Sequence, residues 1–235
     1  MRLAIVVPAL NEEETLRRTL PAALGTLGSL GSDAEVIVSD GGSTDATVEV
    51  ARAFGARVVS GPPGRGGQLN RGAAATDADI LVFLHADTTL PPGAAQAIRD
   101  AVAAGARGGA FLLRFDADRP AQRLGAWLIN ARTRLLRLPL GDQAQWATRE
   151  TFARLGGFAD WPILEDLDFA LRLRRDGRRG GKSGMTLIEE RVTTGARRFV
   201  EQGAVRTVAT NWLIWLLFLL GVPPHRLARL YRHIR

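Results

Sequence analysis

Apolar residues follow two alternating rhythms through the first half of the chain. Residues 3–9, Leu-Ala-Ile-Val-Val-Pro-Ala, form a compact apolar run that reads as a strand. Leu16, Leu20, Ala23, Leu24 and Leu27 then recur at helical spacing over residues 12–27, with Asn11 ahead of them as a good N-cap. Residues 35–39 predict a second strand, Ser43 or Thr44 caps a helix running to Phe54, and residues 56–60 predict a third strand. A Gly/Pro loop leads into a helix near residues 68–75. The run Ile80-Leu81-Val82-Phe83-Leu84 is a fourth strand, Pro91-Pro92 opens the next helix, and residues 109–115 read as another strand. Strands alternating with helices predict an α/β fold, a mostly parallel central sheet with helices on both faces.

The second half is less regular. Residues 119–138 form an amphipathic, basic helical pattern without an acid. Residues 163–175 predict a helix opening on Glu165-Asp166, and residues 185–192 a late strand. Residues 205–220 are strongly apolar and helical, and Pro223-Pro224 stops them. No internal repeat or low-complexity linker breaks the chain. The pattern therefore predicts one domain over residues 1–200 with a C-terminal apolar and basic helical extension over 201–235.

Composition narrows the classes. With 235 residues, 46% of them hydrophobic, the chain can bury a real core and is no disordered tail. The absence of cysteine excludes disulfide scaffolds, cysteine nucleophiles and zinc-thiolate sites, and fits a cytoplasmic protein. The opening apolar run is too short for a signal peptide. Residues 191–235 carry eight arginines and one acid, Glu201, so the whole net charge of +7 sits there. Such a segment can face nucleic acid, anionic lipid or an acidic substrate. No recognised nucleic-acid reader accompanies it, so nucleic acid is not an expected partner. The apolar stretch 212–222 is eleven residues long, and about 20 are needed to span a bilayer. It is expected to pack on the domain, to form a homodimer contact, or to lie at the inner face of a membrane.

The candidate chemistry gathers at strand ends. His85 and Asp87 follow the fourth strand two positions apart, so their side chains point the same way. A carboxylate at a strand's carboxyl end suits Mg2+ or Mn2+ and a phosphate-bearing ligand. The turn Ser39-Asp40-Gly41-Gly42-Ser43-Thr44-Asp45 exposes backbone N–H groups that suit a nucleoside or a phosphate. The same residues also build an ordinary strand-to-helix turn in which Asp40 caps. Gly61 and Gly66 have the separation of a P-loop, but Gly67-Gln68 stands where Lys-Ser/Thr is required, which excludes an ATPase. Pro8-Ala9-Leu10-Asn11-Glu12 after strand 1 is not the glycine fingerprint of a nicotinamide-binding fold, nor the glycine-rich basic loop of a nucleotidyltransferase. Arg65 in its glycine loop can clamp a diphosphate. Glu165, Asp166 and Asp168 stand at a helix start, where the macrodipole favours acids and where one can act as general base. Adjacent helical side chains diverge by about 100°, so these acids do not all face one site.

Taken in order, Pro8-Ala9-Leu10-Asn11-Glu12, Ser39-Asp40-Gly41-Gly42-Ser43-Thr44-Asp45, His85-Ala86-Asp87 and Glu165-Asp166 resemble the motifs of family 2 inverting glycosyltransferases with the GT-A fold, in register over residues 3–200. Pro62-Pro63-Gly64-Arg65, Leu84-His85-Ala86-Asp87-Thr88, Gly141-Asp142-Gln143-Ala144 and Gly221-Val222-Pro223-Pro224 carry a narrower similarity to a bacterial subgroup associated with arsenosugar biosynthesis. The resemblance implies an enzyme that moves a sugar from a nucleotide-diphosphate donor, UDP by the family's leaning, to a hydroxyl on a small molecule, lipid or carotenoid. It implies that Pro8, Asn11, Glu12 and Asp40 hold base and ribose, and that Arg65 approaches the diphosphate. His85 and Asp87 would lie at the donor, Asp87 binding Mn2+ or Mg2+, with Asp166 as catalytic base. Asp142, Gln143, Glu165, Arg197 and Arg198 would face acceptor or diphosphate, since Arg197-Arg198-Phe199 is similar to a late Gln-x-x-Arg-Trp motif. The chain departs from the family at His85, where the first Asp of Asp-x-Asp is usual, at Gly41, where a second Asp is common, and at Phe199, which replaces Trp.

Overall fold

A computed structural model describes residues 1–28, 34–179, 185–196 and 204–234. In chain order its elements are β1 (Leu3–Ala9), α1 (Glu13–Gly28), β2 (Ala34–Asp40), α2 (Thr47–Ala53), β3 (Arg57–Ser60), α3 (Arg65–Ala74), β4 (Ile80–Phe83), β5 (Thr88–Thr89), α4 (Ala94–Ala103), β6 (Gly108–Phe115) and α5 (Pro120–Leu136). A short 3-10 turn (Gly141–Gln143) precedes β7 (Trp146–Thr148), α6 (Arg149–Arg154), α7 (Glu165–Arg179), β8 (Thr186–Thr194), α8 (Ala204–Leu219) and α9 (Pro224–Ile234).

The first strand shows why the sheet lies in the middle. Its side chains alternate faces, and both faces are buried. Leu3, Ile5 and Val7 pack with Leu16 and Leu20 of α1, whereas Ala4 and Val6 pack with Leu69 and Ala73 of α3. The second core also holds Phe83, Phe152, Phe158 and Phe169, with Phe83 edge-on to Phe158 at 4.7 Å between ring centroids. The strand order is β3-β2-β1-β4-β7-β6-β8-β5. The neighbours β3, β2, β1 and β4 run parallel, as do β6 and β8; β7 runs against β4 and β6, and β5 against β8. The sheet is therefore mostly parallel, as expected. The two short antiparallel strands, β5 and β7, were not legible because two and three residues are too few to show alternation.

Boundaries moved for identifiable reasons. Asn11 does not cap α1. It adopts a left-handed φ of 55°, and the N–H groups of Glu12 and Glu13 are instead taken by Thr47 Oγ1 and Asp45 Oδ2, from the turn after β2. That turn is consumed by this exchange, so α2 begins at Thr47 rather than at Ser43 or Thr44. Helix α3 begins at Arg65, because the Gln68 N–H already bonds the Gly64 carbonyl at 2.8 Å. Arg65 thus stands in the first turn of a helix and not in a loose glycine loop. Helix α7 starts at Glu165 and runs to Arg179. Pro223-Pro224 does not end α8: the helix stops at Leu219, where Gly221 with a φ of 91° turns the chain and the Val222 N–H reaches the Leu217 carbonyl at 3.0 Å, and Pro224 instead opens α9, since proline suits a first helical turn.

Strand directions bring the candidate residues to one edge. The carboxyl ends of β1, β2, β3, β4 and β8 and the amino ends of β5 and β7 all lie there, by the pairings above. In open α/β sheets, ligands bind along that edge.

Candidate active site

Three strand-end loops are tied into one body. Asn11 Oδ1 accepts from the Thr44 N–H at 2.8 Å, and the Asn11 N–H donates to Ser43 Oγ at 2.8 Å. Asp40 is buried and accepts from the Gly42 and Ser43 N–H groups at 3.0 and 3.1 Å. Burial pushes its carboxyl up, but the hydrogen bonds of Ser43 and Gly42 and the nearby Arg71 outweigh that and hold it below the usual carboxylate value. Gln68 closes the corner. Its buried side-chain amide donates to the Ala9 and Ser39 carbonyls at 2.8 and 2.9 Å and accepts from the Gly64 N–H at 3.2 Å. Pro8 is half-buried at the end of β1, and Glu12 is half-buried just beyond it.

The far wall comes from the second half of the chain. Asp166 is buried in the first turn of α7, and each of its oxygens has a fixed donor. Oδ2 accepts from the Gly141 N–H and Oδ1 from the Leu167 N–H, both at 2.8 Å. The buried Gln145 side chain donates to the Asp166 and Pro139 carbonyls at 3.0 Å and locks the 3-10 turn to α7. Leu164, immediately ahead of α7, has a left-handed φ of 66°, and Ala144, after the 3-10 turn, one of 46°. Such backbone costs on the order of 1 kcal/mol each, and it gathers where a site is built.

His85 completes this corner. A Cβ on Gly141 would lie 2.5 Å from His85 Nε2 and 3.1 Å from Asp166 Oδ2, so imidazole and carboxylate close on the same point. Gly141→Ala is therefore expected to displace His85, Asp166 or both. The expected result is a fall in turnover of about 100-fold, as small misplacements of reacting groups cost that much, with about 1–3 kcal/mol of stability lost to overpacking. Steady-state kinetics and denaturant unfolding check it. Wild-type turnover in the alanine variant would show that this corner is not part of the chemistry.

The charges between the two walls are mixed. Arg65 Nε pairs with Glu165 Oε1, joining the amino ends of α3 and α7; the Glu165 side chain is 1% exposed and that of Arg65 41%. Burial pushes the Glu165 carboxyl up, Arg65 opposes and Asp166 reinforces. Glu165 Oε2 is closed off from solvent without a hydrogen-bond partner. Asp142 sits in the 3-10 turn with its Oδ1 likewise orphaned. Burial raises its carboxyl to about 6; Arg132 opposes this, Asp166 and Asp87 add to it, and Arg65 opposes it too. Arg132 reaches in from α5, and burial lowers its guanidinium below the ordinary value against the pull of Asp142 and Asp166. Asp87 is exposed at the rim, its Oδ2 lying 3.0 Å from where a Cβ on Gly195 would sit.

The edge thus brings together Asp40, Arg65, His85, Asp87, Asp142, Glu165 and Asp166. Gln143, beside them in sequence, is fully buried and spends its amide on the Phe111 carbonyl, Thr133 Oγ1 and the Leu140 N–H, so it holds the turn in place. Arg197 and Arg198 lie outside the described residues. Sequence reasoning missed Gln68, Arg132, Gly141 and Gln145. Gly41 was a clue to Gln68, since a small residue leaves room for a neighbour; the other three act through contacts that no local pattern reveals. Among the described residues, no group of three or more His, Asp or Glu side chains is arranged to hold a metal.

Comparison with known proteins gives concordant results. The family model described as "Glycosyl transferase family 2" matches residues 4–154. A glucosyl-3-phosphoglycerate synthase of Mycolicibacterium smegmatis is 42% identical over 98 residues, covering 38% of this chain and 32% of that protein. A 4,4'-diaponeurosporenoate glycosyltransferase of Staphylococcus haemolyticus is 34% identical over 96 residues, covering 37% of this chain and 24% of that protein. The chain thus spans a third or less of the length of these curated relatives. The crystal structure of glucosyl-3-phosphoglycerate synthase from Mycobacterium tuberculosis, in complex with Mn2+, UDP and glucosyl-3-phosphoglycerate, superimposes with a TM-score of 0.63 at 28% identity, covering 94% of this chain and 81% of that one.

Proposed function

The chain belongs to glycosyl transferase family 2, and we propose that it transfers a sugar from a UDP-sugar to an acceptor hydroxyl, with inversion at the anomeric carbon. The observation that carries this reading is Asp166, whose two oxygens are fixed by backbone donors at the ligand-binding edge of the sheet, beside His85, Asp142 and the Arg65–Glu165 pair. The Mn2+ and UDP of the superimposed mycobacterial enzyme support the donor and the metal.

In this reading the tied loops around Asn11, Glu12 and Asp40, with Pro8, hold the nucleoside, and the exposed part of Arg65 meets the diphosphate. Asp166 takes the proton of the acceptor hydroxyl. The acceptor oxygen forms its bond to the anomeric carbon as the carbon–oxygen bond to the diphosphate breaks, and that electron pair leaves with UDP. Arg65 stabilises the charge that grows on the leaving group. Asp87 would hold a divalent ion, with Asp142 beside it. The donor set fits, because such ions are commonly held by one or two carboxylates together with substrate phosphates, and Asp142 Oδ1 is a buried oxygen lacking a partner. When bound, the ion would neutralise charge on the departing diphosphate.

Calorimetric titration of UDP, GDP and their sugar conjugates, with Mn2+ and again with EDTA, tests the reading. One UDP-sugar is expected to bind only with the metal, and Asp87→Ala to weaken it by roughly tenfold or more, as loss of a charged ligand does. Failure of every nucleotide to bind would remove the donor site. Release of pyrophosphate in place of UDP would convert the reading to a nucleotidyltransferase.

A lipid-phase acceptor is a second reading, favoured by the exposed apolar side chains of α8. Among the described residues no helix is long and apolar enough to cross a membrane.

A further inference from the structure

The described surface concentrates its apolar side chains in one place. Ten of the thirteen exposed large hydrophobic residues lie on α5, on α8 with the residue that follows it, and on α9. Helix α8 exposes Trp212, Leu213, Leu216 and Leu219, followed by Leu220 at 72% exposure, while Ile214 turns into the protein. At about 100° per residue these positions fall on one outward arc. Helix α5 exposes Leu124, Trp127 at 63% and Leu135 at 81%, likewise on one arc, opposite the buried Gln122, Ala126, Asn130 and Thr133. The two helices lie side by side, with the Arg132 guanidinium 5.1 Å over the Trp215 ring. On each helix the exposed arc lies beside that contact. Apolar arcs on two neighbouring helices, each carrying an exposed tryptophan, exceed the scattered exposure of an ordinary surface.

Charge identifies what covers it. Residues 119–141 and 204–234 contain no acid. Asp118 and Glu189 already neutralise Arg123 and Arg134, so the charge that matters is on α9, where Arg226 and Arg229 are exposed. Symmetric self-association would bring two such acid-free, arginine-bearing faces together, with no carboxylate on these helices to offset the repulsion. An anionic surface without hydrogen-bonding demands on the apolar arc is the complementary partner. We propose that the outer faces of α5 and α8, with the basic helix α9, dock the protein on an anionic lipid bilayer, the 16-residue α8 lying roughly 24 Å along its plane. Docking is independent of whether the site transfers a sugar. Arg132 nevertheless links the two, since it lies over Trp215 of the docked face and also interacts with Asp142 and Asp166 of the site.

The test is flotation of the full chain with vesicles of phosphatidylglycerol and phosphatidylcholine, and with phosphatidylcholine alone. Binding is expected only with phosphatidylglycerol and is expected to weaken as salt rises. Arg226→Gln with Arg229→Gln should weaken it roughly fivefold per charge, and Leu216→Asn with Leu219→Asn by about tenfold or more. All four side chains are exposed, and matching circular dichroism and melting temperatures would confirm that the variants fold. Absence of flotation with phosphatidylglycerol, or flotation unmoved by both double variants, overturns the proposal. So does a wild-type dimer in light scattering that Leu216→Asn with Leu219→Asn turns into a monomer, because a second copy then covers the face. UDP binding, measured separately, tells failure of docking from failure of the donor site.

Discussion

Asp166→Asn is expected to leave donor affinity within about twofold and to lower turnover by roughly 100- to 10,000-fold, the contribution of a positioned general base. The substitution keeps shape and removes only the ability to take a proton. It has a structural cost that can be separated from the chemical one. In the native site each carboxylate oxygen accepts a backbone N–H, from Gly141 and from Leu167. An amide can accept only one of them, and its NH2 group then faces the other donor. One buried N–H is left without a partner, at a cost of about 1–3 kcal/mol. Denaturant unfolding reads that loss, while single-turnover kinetics at saturating donor read the chemistry. Turnover within threefold of wild type would assign the base elsewhere, and Asp142 would be the next to examine.

Asp142→Asn should act in the opposite direction on stability. Burial, chiefly, raises the Asp142 carboxyl from 3.8 to about 6. Between those pH values the folded chain retains a proton that the unfolded chain has already released. Stability from this group is therefore greatest below about pH 4 and falls as pH rises through about 6. At pH 8 the ionised side chain costs about 3 kcal/mol at most, and asparagine avoids that cost. Thermal unfolding in EDTA is expected to show the variant gaining on wild type as pH rises from about 4 through about 6, with the difference largest at pH 8. Parallel curves across this range would show that Asp142 is not held against its charge. The gain is expected to come with weaker metal-dependent donor binding, since a carboxylate kept at an energetic loss is one that a cation relieves.

Much of this site could be read from the chain because strand-end chemistry is local. A buried strand announces itself by four or five apolar residues, and the residues after it must lie at the edge where ligands bind. That places Asp40, His85 and Asp87 without any knowledge of the rest. Glu165 and Asp166 were legible as acids at a helix start, but not which of them faces the site. Pairing separates them: Glu165 is taken by Arg65, and Asp166 is held by the 3-10 turn. Gln68, Gln145 and Arg132 were not legible because their partners, Ser39 at 29 residues from Gln68, Asp166 at 21 from Gln145, and Asp142 reached by Arg132 from another helix, are ones that no periodicity marks. The boundary errors have the same origin. Asn11 and Ser43 look like caps for their own helices, and only the pairing of β1 with β2 lets the two loops exchange donors.

The amide of Gln68 also bears on what position 41 can hold. A Cβ on Gly41 would lie 3.0 Å from Gln68 Nε2 and 3.1 Å from its Cδ. A side chain at position 41 would therefore press on the amide, which would have to give by a few tenths of an ångström. The Ala9 and Ser39 carbonyls and the Gly64 N–H all share that amide as partner, so the push would be felt in three strand-end loops at once. Glycine at 41 leaves the corner where these loops meet the room it needs.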